Sequence, residues 1–126
     1  MSTIMIVDDA QFVRQHVGRV LGEAGFVVIE ATDGEDAVVQ LRAHPEVALV
    51  FCDVNMPKRN GIELLETLRG DPALMRVKVV MLTTEGQGEL IRKAKSLGAL
   101  GWIVKPFKPE ALVATARRLA GAVSAA

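Results

Sequence analysis

Five short apolar runs alternate with five longer amphipathic stretches along this chain, with no low-complexity spacer, charge block or internal repeat between them. The runs Thr3–Val7, Phe26–Glu30, Ala48–Cys52, Val77–Leu82 and Leu100–Val104 are rich in Val, Ile and Leu, which predicts strands. Three of them read as buried on both faces, the mark of a parallel sheet. Between the runs, apolar residues recur at helical spacing. Phe12, Val13, Val17, Val20, Leu21 and Ala24 form the first stripe, and Ala37, Val38 and Leu41 the second. Ile62, Leu65 and Leu68 form the third, Leu90, Ile91, Ala94 and Leu97 the fourth, and Leu112, Val113, Ala116, Leu119 and Ala120 the fifth. Gly25, Gly70 and Gly98 fall where helices should stop, Asp33 is placed to cap the second helix, and Pro109 sits in the first turn of the last. Repeated strand–helix units with connections this short demand right-handed crossovers. The expected fold is therefore α/β, a doubly wound parallel five-stranded sheet with helices on both faces.

Composition narrows the class. A chain of 126 residues, 50% of them hydrophobic and 24% charged, builds one core without staples, so residues 1–126 are expected to be a single domain. Fifteen Lys and Arg balance fifteen Asp and Glu, and Phe, Trp and Tyr together supply only five residues, four Phe and one Trp, so neither nucleic acid nor membrane is an expected partner. The single cysteine, Cys52, excludes an internal disulfide and a cysteine-based zinc site, and reads as a small core hydrophobe. The first residues lack a positively charged leader, and no stretch approaches the roughly 18 apolar residues of a membrane span. A cytoplasmic protein is the expectation.

Ligands of a doubly wound sheet bind beyond the carboxyl ends of its strands. There the chain offers Asp8 and Asp9, Ala31 and Thr32, Asp53, Thr83 and Thr84, and Lys105 and Pro106. Three carboxylates, a hydroxyl and an ammonium thus converge on one edge. Two carboxylates about 4 Å apart repel by about 4 kcal/mol at an effective dielectric near 20, and a bound cation removes that cost. Oxygen-only ligation without His or Cys favours a hard ion, and Mg²⁺ over a calcium cage. Asp53 follows a buried run, which holds it centrally as a carboxylate nucleophile able to form an acyl phosphate. Mg²⁺ and Lys105 would neutralise phosphoryl charge, and Thr83 would donate to a phosphoryl oxygen.

Four motifs in order, each at a strand end, carry a resemblance. They are Val7-Asp8-Asp9, Asp53-Val54-Asn55-Met56-Pro57 followed by Gly61, Leu82-Thr83-Thr84-Glu85, and Lys105-Pro106-Phe107. From Ile4 to about Ala122 the chain resembles the receiver domain of two-component response regulators, in its stand-alone chemotaxis form. The resemblance implies a flavodoxin-like (βα)5 sheet of strand order 2-1-3-4-5. It makes Asp53 the acceptor of a phosphoryl group from a histidine kinase, Asp9 a direct Mg²⁺ ligand, Asp8 a ligand mainly through a coordinated water, and Asn55 a ligand through its backbone carbonyl. Thr83 and Lys105 would grip the phosphoryl oxygens. Pro57, Gly61 and Pro106 are structural, and the Lys105–Pro106 bond is expected to be cis. The switch aromatic falls on Trp102, where tyrosine or phenylalanine is commoner, and Ala10 replaces a frequent small hydroxyl residue. Gly86 and Gly88 weaken the start of the fourth helix, beside the switch hydroxyl. Such a domain is a regulatory phosphoacceptor, not an enzyme, assisting only its own phosphorylation and autodephosphorylation. Asn55 and Glu85, each two residues after a site residue, match the chemotaxis type.

The zero net charge hides a polarity. Residues 1–85 carry eight Lys and Arg against thirteen Asp and Glu, net −5, whereas residues 86–126 carry seven against two, net +5. Arg92, Lys93, Lys95, Lys108, Arg117 and Arg118 flank the strand holding Trp102. The 86–120 face is therefore expected to dock an acidic or amphipathic output partner, with charge steering encounter. Nothing after Ala122 reads as an effector, so a monomer acting in trans is expected, on a motor-like target or on a phosphotransfer histidine protein in a relay. Two other readings fit less well. A docking module that is never phosphorylated has no use for the intact acid cluster and lysine. A haloacid-dehalogenase-like phosphatase places its nucleophile after the first strand with an Asp two residues on, where this chain has Asp53 after the third and Asn55 at that spacing.

Overall fold

The computed structural model describes residues 2–54, 60–84 and 88–120. Strands and helices alternate as β1 (Thr3–Val7), α1 (Gln11–Glu23), β2 (Val27–Ala31), α2 (Gly34–Ala43), β3 (Val47–Asp53), α3 (Gly61–Arg69), β4 (Lys78–Thr83), α4 (Gly88–Ser96), β5 (Gly101–Val104) and α5 (Pro109–Ala120). All strand pairs are parallel, in the order β2-β1-β3-β4-β5. This is the flavodoxin-like doubly wound sheet expected from the sequence.

Alternation along each central strand divides the core in two. Ile4, Ile6, Leu49, Phe51, Val80 and Leu82 face α1 and α5, where Val17, Leu21, Leu112 and Ala116 meet them. Met5, Val7, Val50, Cys52, Val79 and Met81 face α2, α3 and α4, against Leu41, Leu65, Leu68 and Ala94. Residues on both faces of β1, β3 and β4 are thus buried, which is why these runs show no polar alternation. The edge strands β2 and β5 are only partly covered.

Local signals close the helices. Asp33 caps α2, its side chain accepting from the Asp36 amide at 2.8 Å. Asn60 and Glu63 form a reciprocal capping box at the start of α3, a spacing legible in the sequence. Gly25 and Gly98 have φ of 100° and 87°, the left-handed conformation that ends α1 and α4 and that a side chain would strain. Gly70 ends α3 with ordinary right-handed φ, so there the stop does not depend on glycine. Arg69, at the end of α3, ties its neighbours together. Its guanidinium donates to the Leu97 carbonyl at 2.7 Å and to the Met75 and Val77 carbonyls at 2.9 Å, joining the end of α4 to the loop before β4.

Two sequence expectations need correction. Phe12 belongs to the apolar stripe of α1 but is 79% exposed, because it sits in the first turn, beyond the edge where the sheet can cover it. The second and fourth strands each run one residue later than their apolar runs: pairing with β1 is registered from Thr3↔Val27 to Val7↔Ala31, and β4 pairs with β3 from Lys78 and ends on Thr83. Among the described residues no helix is long and apolar enough to cross a membrane.

Candidate functional site

Register decides which residues meet. Val7 of β1 pairs with Cys52 of β3, Asp53 with Leu82 of β4, and Thr83 with Val104 of β5. The next residues along β1 and β5, Asp8 and Lys105, therefore arrive at the same sheet edge as Asp53 and Thr83. Asp53 and Thr83 are the last residues of their strands, one position earlier than loop residues would be. Asp53 is 7% exposed and Asp8 and Thr83 are 1% exposed, whereas Asp9 faces solvent. Asp8, Asp9 and Asp53 each present a carboxylate oxygen, and these atoms lie within 4.8 Å of one another.

Lys105 balances part of this negative charge. Its Nζ donates to Asp8 Oδ2 at 2.9 Å and stands 3.6 Å from Asp53 Oδ1, with the side chain only 16% exposed. Water screens such a pair poorly, so the attraction between the ammonium and the two nearly buried carboxylates is stronger than in a surface ion pair and offsets the cost of desolvating them. The Lys105–Pro106 peptide is cis, and the Lys105 amide donates to the Thr83 carbonyl at 2.6 Å, which anchors the β5–α5 connection to β4. The other Asp8 carboxylate oxygen accepts from the Ala10 amide at 2.9 Å, folding the β1–α1 turn around the site.

Gly61 shows how tightly α3 approaches the end of β3. A Cβ at this position would lie 2.6 Å from the Asp53 carbonyl oxygen and 2.5 Å from Met81 Cε. The methionine can move, but the carbonyl cannot without shifting the backbone of Asp53, so only glycine lets α3 start here. The Gly61 amide also donates to the Val54 carbonyl at 3.1 Å. Cys52, beside Asp53, is fully buried, and burial followed by the charges of Asp53 and Asp8 pushes its thiol pKa up. It takes no part in the site as a nucleophile.

Trp102 lies on β5 opposite Met81 and packs, half-buried, against the core beneath α2, α3 and α4. Its indole Nε1 is buried with no hydrogen-bond partner among the described residues. On the other side of the sheet edge, a hollow of about 290 Å³ is lined by Phe12, Val13, His16, Lys105, Pro106 and Phe107, with the His16 ring stacked on Phe107 at 5.8 Å. Asn55, Met56, Pro57, Glu85 and Gly86 lie outside the described residues. Arg14 was missed by sequence reasoning: its side chain, 12% exposed, donates to the Asp8 carbonyl at 2.6 Å and to Glu30. A basic residue one helical turn beyond an acid pair was the available signal, and it resembled any solvated helix charge.

A parallel α/β fold with three acids and a lysine gathered at one sheet edge is the arrangement expected of a regulatory receiver fold, and sequence comparison agrees. Residues 4–117 match the response regulator receiver domain family, and the chain belongs to it. Chemotaxis protein CheY1 of Helicobacter pylori is 33% identical over 110 residues, covering 86% of this chain and 89% of that protein. Chemotaxis protein CheY4 of Vibrio cholerae has a TM-score of 0.88 at 36% identity, covering 94% of this chain and 98% of the other. A CheX–CheY complex of Borrelia burgdorferi with BeF3 and Mg²⁺ contains a chain matching at TM-score 0.86 and 28% identity, covering 93% and 87%. Receiver domains are regulatory folds of two-component signalling and bind Mg²⁺ in general. The oxygen-only cluster of Asp8, Asp9 and Asp53 fits a hard divalent cation.

Proposed function

We propose that residues 1–126 act as one cytoplasmic receiver domain, a monomeric chemotaxis switch in which Asp53 accepts a phosphoryl group from a histidine kinase. The observation that carries this reading is the Lys105 ammonium set between Asp8 and Asp53, 2.9 and 3.6 Å from their carboxylate oxygens, beside a cluster of three acids. An Asp53 oxygen attacks the phosphorus of a phosphohistidine. The P–O bond forms as the P–N bond breaks, its electron pair leaves with the imidazole, and that ring takes up a proton. Asp9, Asp53 and the Asn55 carbonyl would hold Mg²⁺, with Asp8 acting through a coordinated water. Bound there, Mg²⁺ supplies charge neutralisation for the phosphoryl oxygens. Lys105 grips one phosphoryl oxygen and Thr83 donates to another.

The acyl phosphate adds a dianion where Lys105 already stands, drawing Thr83 toward it and biasing Trp102 on β5. Taking a two-state equilibrium from 1:99 to 99:1 needs about 5.5 kcal/mol of differential stabilisation, within the range of several charge-assisted contacts. The output leaves through the basic 86–120 face, where Arg92, Lys93, Lys95, Lys108, Arg117 and Arg118 are all exposed. Similarity to chemotaxis proteins of two bacteria supports a motor-like target in preference to a relay protein.

Intact mass after incubation with Mg²⁺ and acetyl phosphate, quenched in acid, tests the chemistry. One phosphoryl adduct is expected in the wild type and none in Asp53→Asn or without Mg²⁺. An adduct that persists in Asp53→Asn, or that forms without Mg²⁺, sinks the reading.

A further inference from the structure

We infer that Arg14 positions the metal-binding carboxylate of Asp9 by pinning the peptide unit that joins Asp8 to Asp9. The inference rests on the reading above, in which Asp9 ligates Mg²⁺ directly. Arg14 lies on α1, one turn past the acid pair, with its side chain only 12% exposed. Its Nη1 donates to the Asp8 carbonyl oxygen at 2.6 Å, and its Nε donates to Glu30 Oε1 on β2 at 3.1 Å. One guanidinium thus joins α1, the β1–α1 turn and the edge strand.

The Asp8 carbonyl and the Asp9 amide belong to one planar peptide group. Holding that oxygen restrains the plane, and with it the position of the Asp9 backbone from which the carboxylate reaches the site. The flanking groups are held as well: the Asp8 amide donates to the Ala31 carbonyl at 3.2 Å, and the Ala10 amide donates to Asp8 Oδ1 at 2.9 Å. Asp8 needs no help from Arg14 to orient its carboxylate, which Lys105 and the Ala10 amide already grip. Asp9 does, because among the described residues none donates a hydrogen bond or forms an ion pair to its exposed carboxylate. The position of its backbone is therefore the restraint on where that carboxylate can reach.

Arg14 also brings a positive charge near a cation site, and charge and positioning predict opposite signs. Removing a competing cation would tighten Mg²⁺ binding, whereas releasing the peptide plane would loosen it. Outer groups that orient metal ligands typically contribute about 10- to 100-fold in affinity. The rigid fork of arginine is what serves two acceptors in different directions, so lysine keeps the charge but not the clamp.

The experiment is isothermal titration of the unphosphorylated full chain with Mg²⁺, for the wild type, Arg14→Gln, Arg14→Lys and Glu30→Gln, with thermal unfolding in EDTA measured alongside. Both Arg14 variants are expected to bind Mg²⁺ about 10-fold more weakly, and Glu30→Gln to show a smaller loss. Wild-type affinity in both Arg14 variants, or tighter binding by Arg14→Gln, overturns the inference. A lowered melting temperature with unchanged Mg²⁺ affinity overturns it too, since that is the signature of a structural residue. If Arg14→Gln does not fold, Arg14→Lys and Glu30→Gln decide by the same criteria. Absence of Mg²⁺ binding by the wild type would instead sink the reading of the acid cluster, and the inference with it.

Discussion

Asp53 and Cys52 are neighbours on β3, yet their environments assign them opposite chemistry. The pleat turns Asp53 toward the sheet edge, where Lys105 and two further carboxylates meet it, and turns Cys52 under the helices. Burial and the adjacent carboxylate charges hold the thiol pKa up, so thiolate is scarce at any physiological pH. Native protein at pH 8 should therefore leave Cys52 unmodified by a disulfide reagent over hours, while denatured protein reacts at once. Fast modification of the folded chain would contradict the burial. Both placements were legible in the sequence, the acid at the end of an apolar run and the thiol within it. Arg14 was not, because its partners are the Asp8 backbone carbonyl and a strand 16 residues away, and neither leaves a trace in local spacing.

At the scale of elements, periodicity predicted the five strands to within one residue at either end and an apolar stripe on each helix, but it misjudged where the stripe of α1 is covered. Phe12 continues the stripe of α1 and is exposed, whereas Leu65 in the stripe of α3 is fully buried. Leu65→Ala should destabilise the protein by about 2–5 kcal/mol. Phe12→Ala should change stability by about 0.5 kcal/mol or less, as surface substitutions do. Urea denaturation of both variants checks the contrast, and a Phe12→Ala loss comparable to the leucine's would mean that the first turn of α1 is packed in solution. Helix ends divide the same way. The caps of α2 and α3 are written in the chain, while the tie from Arg69 to the end of α4 spans 28 residues and becomes visible only in three dimensions.

Across the whole molecule, the acidic cluster and the basic 86–120 face make a neutral chain strongly polar. If that face receives the output partner, Arg92→Glu combined with Lys95→Glu should slow association of the phosphorylated protein with its target by about 10-fold at low salt. The difference should shrink as ionic strength rises toward 0.15 M, where the screening length is about 8 Å. Equal association rates at low salt would remove the docking role of these charges. The sequence by itself determined the alternation of strands and helices, the layering of the sheet and the identity of the acids and lysine, because period, propensity and strand-end position are properties of local chain. Only the tertiary structure decided the 4.8 Å convergence of three carboxylates, the bridging position of Lys105, the contact that makes Gly61 necessary and the clamp of Arg14. These depend on the register between strands and on how closely helices settle against the sheet. Both are set by packing among residues far apart in the chain, which no local pattern encodes.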